Sequence, residues 1–174
     1  MATTRVVGLD QARAAYSAAV TQLDIADVAS DDIFAIKGSA TKIVRVQRIA
    51  VTGVTTTAPV AAKVVLWFNS TANSAGTSVT AVPYAVGSPA ATALVESYTA
   101  NPTPGTRIGR LMSRRISFPA SASVMCMIPV LFEFNVTTGP IVLIGTSQQL
   151  SVSLDGVSHG ASAFFDCDVQ WTEE

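Results

Sequence analysis

The sequence predicts an all-β protein whose strands form a two-sheet antiparallel sandwich, with a jelly roll as the best single interpretation. Residues 149–154 and 163–171 alternate apolar with mostly polar side chains, the period of two that places one set on each face of a strand. Short turns such as Asp155-Gly156 separate these runs. Eight to ten runs of this kind recur at even spacing along the chain, and such spacing is typical of a sandwich.

Residues 1–32 differ from the rest and are predicted to form an N-terminal arm, so that residues 33–174 are the sandwich domain. Residues 11–20 are rich in alanine and follow Asp10, a pattern that favours at most one short helix. The arm has few large apolar side chains to bury. Its acidic residues are Asp24, Asp27, Asp31 and Asp32.

Strands are expected at residues 33–36, 42–54 and 60–68. The second of these is irregular, because its apolar positions change parity between Val46 and Ile49. A regular strand would turn Arg48 inward, so a bulge near Gln47 and Arg48 is predicted.

Residues 69–106 are predicted to be a long connection. Four prolines, together with asparagine and glycine, exclude a central strand over most of it. Residues 90–96 could add one helical turn or a short edge strand. Connections this long in a compact domain are usually functional or form contact surfaces.

A basic block follows, with four cations in nine residues: Arg107, Arg110, Arg114 and Arg115. Neither interleaved aromatic residues nor a glycine-rich loop that could cradle a phosphate accompanies them. We therefore expect these arginines to be solvated, with a pair of them facing a partner, rather than to bind phosphate. Residues 124–136 are the most apolar run, predicted to be a strand covered on both faces, with Pro129 at an edge or bulge position.

The composition points to a protein with partners of its own kind. Charged residues make up 13% of the chain, against about 25% in typical domains, and the mean hydropathy is +0.42. Such a surface is expected to be covered by repeated contacts, which predicts a homo-oligomer, with a trimer as the first expectation. A sandwich kept soluble by its hydroxyl groups is the alternative.

Several partner classes are not expected. A net charge of −1 argues against nucleic acid. Charged and small residues interrupt every apolar run well before about 18 residues, so no membrane span is predicted. The N-terminus also lacks the apolar segment of a secretory signal.

No catalytic or metal-binding constellation is apparent, so the chain is predicted not to be an enzyme and to need no cofactor. His159 is the only histidine. Asp155, Asp166 and Asp168 could be imagined around Ca²⁺, but their spacing is not that of an EF-hand. Glu96 and Glu133 have nothing in the sequence to bring them together. Cys126 and Cys167 fall on apolar parities and are expected to be reduced and buried.

Parts of the chain resemble small virion structural proteins of tailed bacteriophages. The residues that carry the resemblance are KIVRVQRIAVTG (42–53), the connection from VPY (82–84) to TANPTPG (99–105), PIVL (140–143) and QWTEE (170–174). It covers residues 40–174 and excludes the arm.

Several proteins of that family are jelly-roll decoration, or cement, proteins that bind as trimers between capsomers of the head shell. The resemblance implies a non-enzymatic capsid decoration protein that stabilises the shell, with the phage major capsid protein as partner. It also implies location in the virion after synthesis in the bacterial cytoplasm.

The alternative is a tail- or fibre-associated sandwich that binds host glycans. Trp67, Tyr84, Tyr98 and Trp171 would then form a stacking platform for sugars. For the decoration protein, the acidic residues of the arm are expected to lie across the basic block of a neighbouring copy.

Overall fold

The computed structural model describes residues 13–25, 32–55, 60–120, 129–134, 139–155 and 163–174. These residues contain twelve β-strands and no helix. The strands are β1 (Ala14–Ile25), β2 (Asp32–Lys37), β3 (Val44–Thr55), β4 (Val60–Asn69), β5 (Thr77–Val79), β6 (Val82–Pro83), β7 (Leu94–Ser97), β8 (Arg107–Phe118), β9 (Val130–Glu133), β10 (Ile141–Leu143), β11 (Gln149–Leu154) and β12 (Ala163–Glu173).

The strands form two antiparallel sheets packed against each other, which confirms the predicted β-sandwich. Sheet A has the order β10-β3-β12-β1-β6, with β9 also paired to β3, and sheet B has the order β5-β7-β2-β11-β4-β8. When the short strands β5, β6 and β7 are set aside and β9 and β10 are taken as one interrupted edge strand, eight strands remain. Numbered one to eight along the chain, these strands have the order 1-8-3-6 in sheet A (β1-β12-β3-β9/β10) and 2-7-4-5 in sheet B (β2-β11-β4-β8). This is the strand order of a jelly roll.

The core lies between the sheets, and β12 shows how the sequence builds it. Along β12, Ala163, Phe165, Cys167, Val169 and Trp171 are buried, while the residues between them up to Gln170 are partly exposed. Because β12 lies between β1 and β3, its inward side chains have neighbours on both sides. Trp171 stacks on Tyr16 of β1 with ring centroids 5.6 Å apart. The predicted alternation of this segment is therefore confirmed.

The predicted arm and helix are wrong for residues 14–25, which form β1. This strand pairs with β12 along most of its length, and Tyr16, Ala18 and Leu23 are buried in the core. Alanine favours helices over strands by less than about 1 kcal/mol per residue, and the burial of Tyr16 against Trp171 outweighs that preference. Asp32 likewise begins β2 rather than ending an arm. The remainder of the predicted arm, residues 1–12 and 26–31, lies outside the described residues.

The predicted bulge in β3 is confirmed. Gln170 pairs with Arg48 and Trp171 pairs with Val46, so Gln47 is an extra residue opposite β12. The bulge lets Val46 and Ile49 both face the core although their spacing is odd. On the other side of β3, β9 and β10 run in the same direction and pair with successive parts of it.

The long connection is an insertion between β4 and β8 that adds strands to both sheets. β5 and β7 extend sheet B beyond β2, and β6 pairs with β1 at the edge of sheet A. β7 confirms a short strand at the end of residues 90–96, but β5 pairs with its other side, so it is not an edge strand. Of the predicted strand at 124–136, residues 124–128 and 135–136 lie outside the described residues, and Leu131 of β9 is exposed rather than covered.

Glu173 fixes the insertion to the C-terminal strand. Its buried carboxylate accepts hydrogen bonds from the backbone N–H groups of Thr92 and Ala93, at 2.9–3.0 Å, and from the Thr92 hydroxyl at 2.8 Å. The indole of Trp171 donates a further bond at 3.0 Å. Burial alone raises the pKa of Glu173, but these hydrogen bonds outweigh it and hold the pKa below its usual range.

Candidate interaction surface

The outer face of sheet B, which faces away from the core, carries a buried layer of polar side chains. We call it the polar layer, and its members are Asp32, Trp67, Asn69, Asn73, Arg107, Gln149, Ser151 and Ser153. Six of them are at least 95% buried, although a solvated outward face is usual for an antiparallel sheet. The insertion covers this face at Asn73 and Gly105.

Two bulges in β8 bring two members of the basic block onto one aromatic ring. Leu66 pairs with Met112 and Trp67 with Arg110, so Leu111 is an extra residue; a second register shift leaves Ile108 extra. The bulges place Arg107 and Arg110 on the same face despite a spacing of three. Their guanidinium carbons lie 4.4 and 4.9 Å from the Trp67 ring centroid, within the range of cation–π attraction.

The same two arginines form ion pairs within the chain. Arg107 donates to Asp32 at 2.9 Å, and Arg110 donates to Asp155 at 2.8 Å. Lys63 also reaches Asp155, at 3.0 Å. Because Asp32 is fully buried and Arg107 partly so, the first pair is screened less by solvent than the second.

Asn73 connects the insertion to the polar layer. Its side-chain amide donates to Asp32 at 2.7 Å, and its side-chain oxygen accepts from Asn69 at 3.2 Å and from the Gly105 N–H at 2.8 Å. Its backbone N–H donates to the side chain of Gln149 at 2.8 Å. One residue from the connection therefore joins three strands, β2, β4 and β11, to the far end of the insertion at Gly105.

A second buried pair lies beside the polar layer. Lys37 donates to Glu96 at 2.7 Å, and the Tyr98 hydroxyl donates to the same carboxylate at 2.8 Å. Burial, followed by the bond to Glu96, raises the pKa of Tyr98, so the phenol stays protonated. This arrangement fixes β7 to β2.

Five buried polar atoms of this face have no hydrogen-bond partner in the protein: Trp67 Nε1, Asn69 Oδ1, Arg107 Nε, Gln149 Nε2 and Ser153 Oγ. All five belong to the polar layer, and no other described residue has such an atom. An unsatisfied buried group costs about 1–3 kcal/mol. Groups of this kind in folded proteins bind ordered water, so the layer has the chemistry of a hydrated interface.

The structure brings together only part of the predicted acidic and basic blocks. Asp32 and Arg107 meet within one chain, and Arg110 lies over the same indole. Arg114 and Arg115 are exposed further along β8. Asp24 lies in β1 of the other sheet, and Asp27 and Asp31 are outside the described residues. An acidic–basic contact was expected between copies. Asp32 and Arg107 form such a contact within one chain.

The sequence pattern does not reveal Asn73 and Gln149, and it does not assign Trp67 to this surface. A signal for the surface was present in the spacing of Arg107 and Arg110, which a regular strand cannot place on one face. No comparable signal marks Asn73, because it lies in a connection whose path depends on the whole fold.

The outer face of sheet A carries a cleft of about 170 Å³. Asp166, Asp168 and Arg48 line it among small residues, and Arg48 lies 3.7 Å from Asp168. Burial raises the pKa of Asp168, partly offset by Arg48. Asp155 lies on sheet B, so the three aspartates weighed as a calcium site are not together. No group of three or more His, Cys, Asp or Glu side chains that could hold a metal ion occurs among the described residues.

The aromatic side chains do not form a common platform for sugars. Trp171 and Tyr98 are buried, and the Trp67 ring is covered by two arginines. Of the four rings, only Tyr84 is exposed. Glu96 and Glu133 lie in different sheets, so they do not form a catalytic pair.

Cys167 is a buried free thiol, as expected, and burial raises its pKa. Cys126 and His159 are outside the described residues. The part of the chain that the structure describes contains no helix able to cross a membrane.

Comparisons with known proteins return no match to a family model, to a curated protein or to a solved structure.

Proposed function

We propose that this protein is a non-enzymatic structural protein of a virion, a decoration protein that binds the assembled head shell of a tailed bacteriophage. In this proposal it acts as a homo-oligomer, first expected to be a trimer, and its partner is the major capsid protein. The observation that carries the proposal is the jelly-roll strand order in a chain with half the usual share of charged residues. Jelly rolls serve as viral capsid domains and as lectins, and the dispersed aromatic rings favour the first.

The surface is built in a way that suits repeated contacts. Arg107, Arg110 and Asp155 are paired within the chain, so fewer charges remain to oppose a partner. Eight large apolar side chains of the described residues are exposed as well. A surface of this kind is stable when neighbouring molecules cover it.

Binding to a lattice does not require a tight individual contact. Each copy needs to contribute only a few kcal/mol, because many copies act together on one shell. The insertion, held to the sandwich by Glu173 and Asn73, gives each copy a preformed surface, which lowers the entropic cost of docking.

The test uses shells of the encoding phage assembled without this protein. We expect such shells to form, to burst at lower temperature than complete shells, and to regain their thermal stability when the purified protein is added back. Shells that fail to assemble, or that melt at the same temperature with and without it, contradict the proposal. Cryo-EM of the intact particle locates the protein independently, and density on the tail would favour the glycan-binding alternative.

A further inference from the structure

Seven of the eight exposed large hydrophobic side chains of the described residues lie on two opposite sides of the sandwich. Four are in the insertion and three are on β8 and β9, whereas the eighth, Ile144, lies beside Lys42 and Glu174. β8 and β5 are the opposite edges of sheet B, and β9/β10 and β6 are the opposite edges of sheet A. Since β8 contacts β9 and β5 contacts β1, the sheet edges correspond in pairs. Among the residues whose side chains the structure describes, neither outer sheet face carries such residues away from these edge segments.

The first group forms the insertion side and consists of Val82, Tyr84, Val86 and Leu94. No charged residue occurs between Ser70 and Val95. The segment is held in place, since the Tyr84 N–H donates to the Ala15 carbonyl at 2.9 Å and the Ser88 N–H donates to the Ala85 carbonyl at 3.1 Å. Tyr84 is nevertheless 58% exposed. The insertion therefore presents a fixed, uncharged, apolar projection.

The second group forms the β8 side and consists of Ile108, Leu111 and Leu131. Ile108 and Leu111 are the two extra residues of the β8 bulges, so the bulges that place Arg107 and Arg110 over Trp67 also turn two apolar side chains away from the sheet. Ile108 is 62% exposed. No described strand pairs with the free edge of β8, and its bulges prevent simple addition of another strand.

We propose that the insertion side of one copy docks on the β8 side of a second copy of this chain, in a head-to-tail contact. Both surfaces expose large apolar side chains, and they lie at opposite edges of the same sheets. Each copy therefore has both halves of the contact. A head-to-tail contact closes into a ring when the rotation between copies permits it.

Charge disfavours contact between two β8 sides. The β8 side carries Arg114 and Arg115, both exposed, and two β8 sides facing each other would bring four cations together. The segment between Ser70 and Val95 has no charge with which to repel them, and Lys37 beside Leu94 is paired with Glu96. Head-to-tail contact thus covers the apolar residues and leaves the two arginines at the rim.

This contact rests on the homo-oligomer of the proposed function and specifies its geometry. The test uses two double variants of the full chain. The insertion variant carries Tyr84→Glu and Val86→Glu, and the β8 variant carries Ile108→Glu and Leu111→Glu. A control carries Thr21→Glu and Gln170→Glu, which add the same charge to the outer face of sheet A.

Mass is measured by sedimentation equilibrium at tens of micromolar protein. We expect the wild type and the control to exceed the chain mass of 18.1 kDa, and each variant alone to run as a monomer. An equimolar mixture of the two variants should form a species of twice 18.1 kDa, because each retains the half that the other has lost.

A mixture that stays monomeric overturns the proposal, and so does either variant that alone remains as large as the wild type. Circular dichroism and the melting temperature check folding, and serine replaces glutamate at the same positions if a variant unfolds. A monomeric wild type also overturns this contact, whereas shell binding is measured separately. A protein that assembles head-to-tail but leaves shell stability unchanged contradicts the proposed function alone.

Discussion

The two faces of sheet B are both buried, but by different means. The inner face packs Leu150, Val152 and Leu66 against sheet A, and its stability comes from removing apolar surface from water. The outer face buries Gln149, Ser151 and Asn69 under the insertion, and these groups must find hydrogen-bond partners. The difference teaches that period-two alternation identifies the apolar face of a strand but does not show that the polar face is exposed.

Burial between the sheets should contribute most to the free energy of unfolding. Substitutions of two adjacent phenylalanines in β12 test this contribution. Phe165 is fully buried between the sheets, whereas Phe164 lies on the outer face of sheet A and is partly exposed. Phe165→Ala should lower the free energy of unfolding by about 3–5 kcal/mol, the usual cost for a buried aromatic ring. Phe164→Ala is the matched control and should cost less than half as much in urea unfolding. Equal losses would mean that both faces of β12 are packed alike.

The polar layer should contribute less, and Asn73 is the residue to change. Asn73→Ala removes hydrogen bonds to Asp32, Asn69 and Gly105 while the partners stay buried, so we expect a loss of about 2–3 kcal/mol. Asn101→Ala, at an exposed position of the same insertion, should change stability by less than about 0.5 kcal/mol. If the two variants melt at the same temperature, the layer adds no stability.

The smallest expected effect concerns the link between the insertion and the interior at Glu173. Glu173→Gln should cost about 1–2 kcal/mol at neutral pH, because hydrogen bonds to a charged acceptor are stronger than neutral ones. Since the folded-state pKa lies below that of the unfolded chain, the carboxylate stabilises the fold fully above the ordinary Glu pKa of about 4.3. This stabilisation is lost as the pH falls through the folded-state pKa.

Melting temperatures measured between pH 7 and pH 3 check this dependence. The wild type should lose stability steeply below about pH 4, and Glu173→Gln should follow a shallower curve. Glu174→Gln is the control, since the neighbouring carboxylate is exposed; its pKa is lowered chiefly by its hydrogen bond with Arg45, in a setting that solvent screens. A wild-type curve parallel to that of Glu173→Gln would show that Glu173 does not link folding to pH.

The sequence was sufficient for the strands whose apolar faces point into the interior. β11, β12 and the bulge in β3 follow from alternation and its single interruption, and the jelly roll follows from the spacing of such runs. β1 was missed because Ala14, Ala15 and Ala18 suit a helix when considered alone. Only the position of β12 beside them makes the alternation of Tyr16 and Ala18 decisive.

The candidate surface could be predicted only in part. The basic block and Asp32 were identified as interacting groups, but their partners depend on two bulges and on where the insertion crosses sheet B. The contact of Asn73 with Gln149, 76 positions away, is a consequence of the complete fold. Local patterns do not contain such information, because they describe which face a side chain takes and not what lies over it.

The position of β12 in sheet A affects how the chain reaches this fold. β12 follows the other eleven strands in sequence, yet it lies between β1 and β3 and is hydrogen-bonded to both. Until it is synthesised, β1 and β3 have no strand between them, and the two ring systems of Tyr16 and Trp171 cannot stack. Pairing strands so distant in sequence requires large loops to close first, which makes folding slow. During translation β1 therefore remains without its partner β12. Until β12 is synthesised, the apolar side chains of β1 can take part in aggregation.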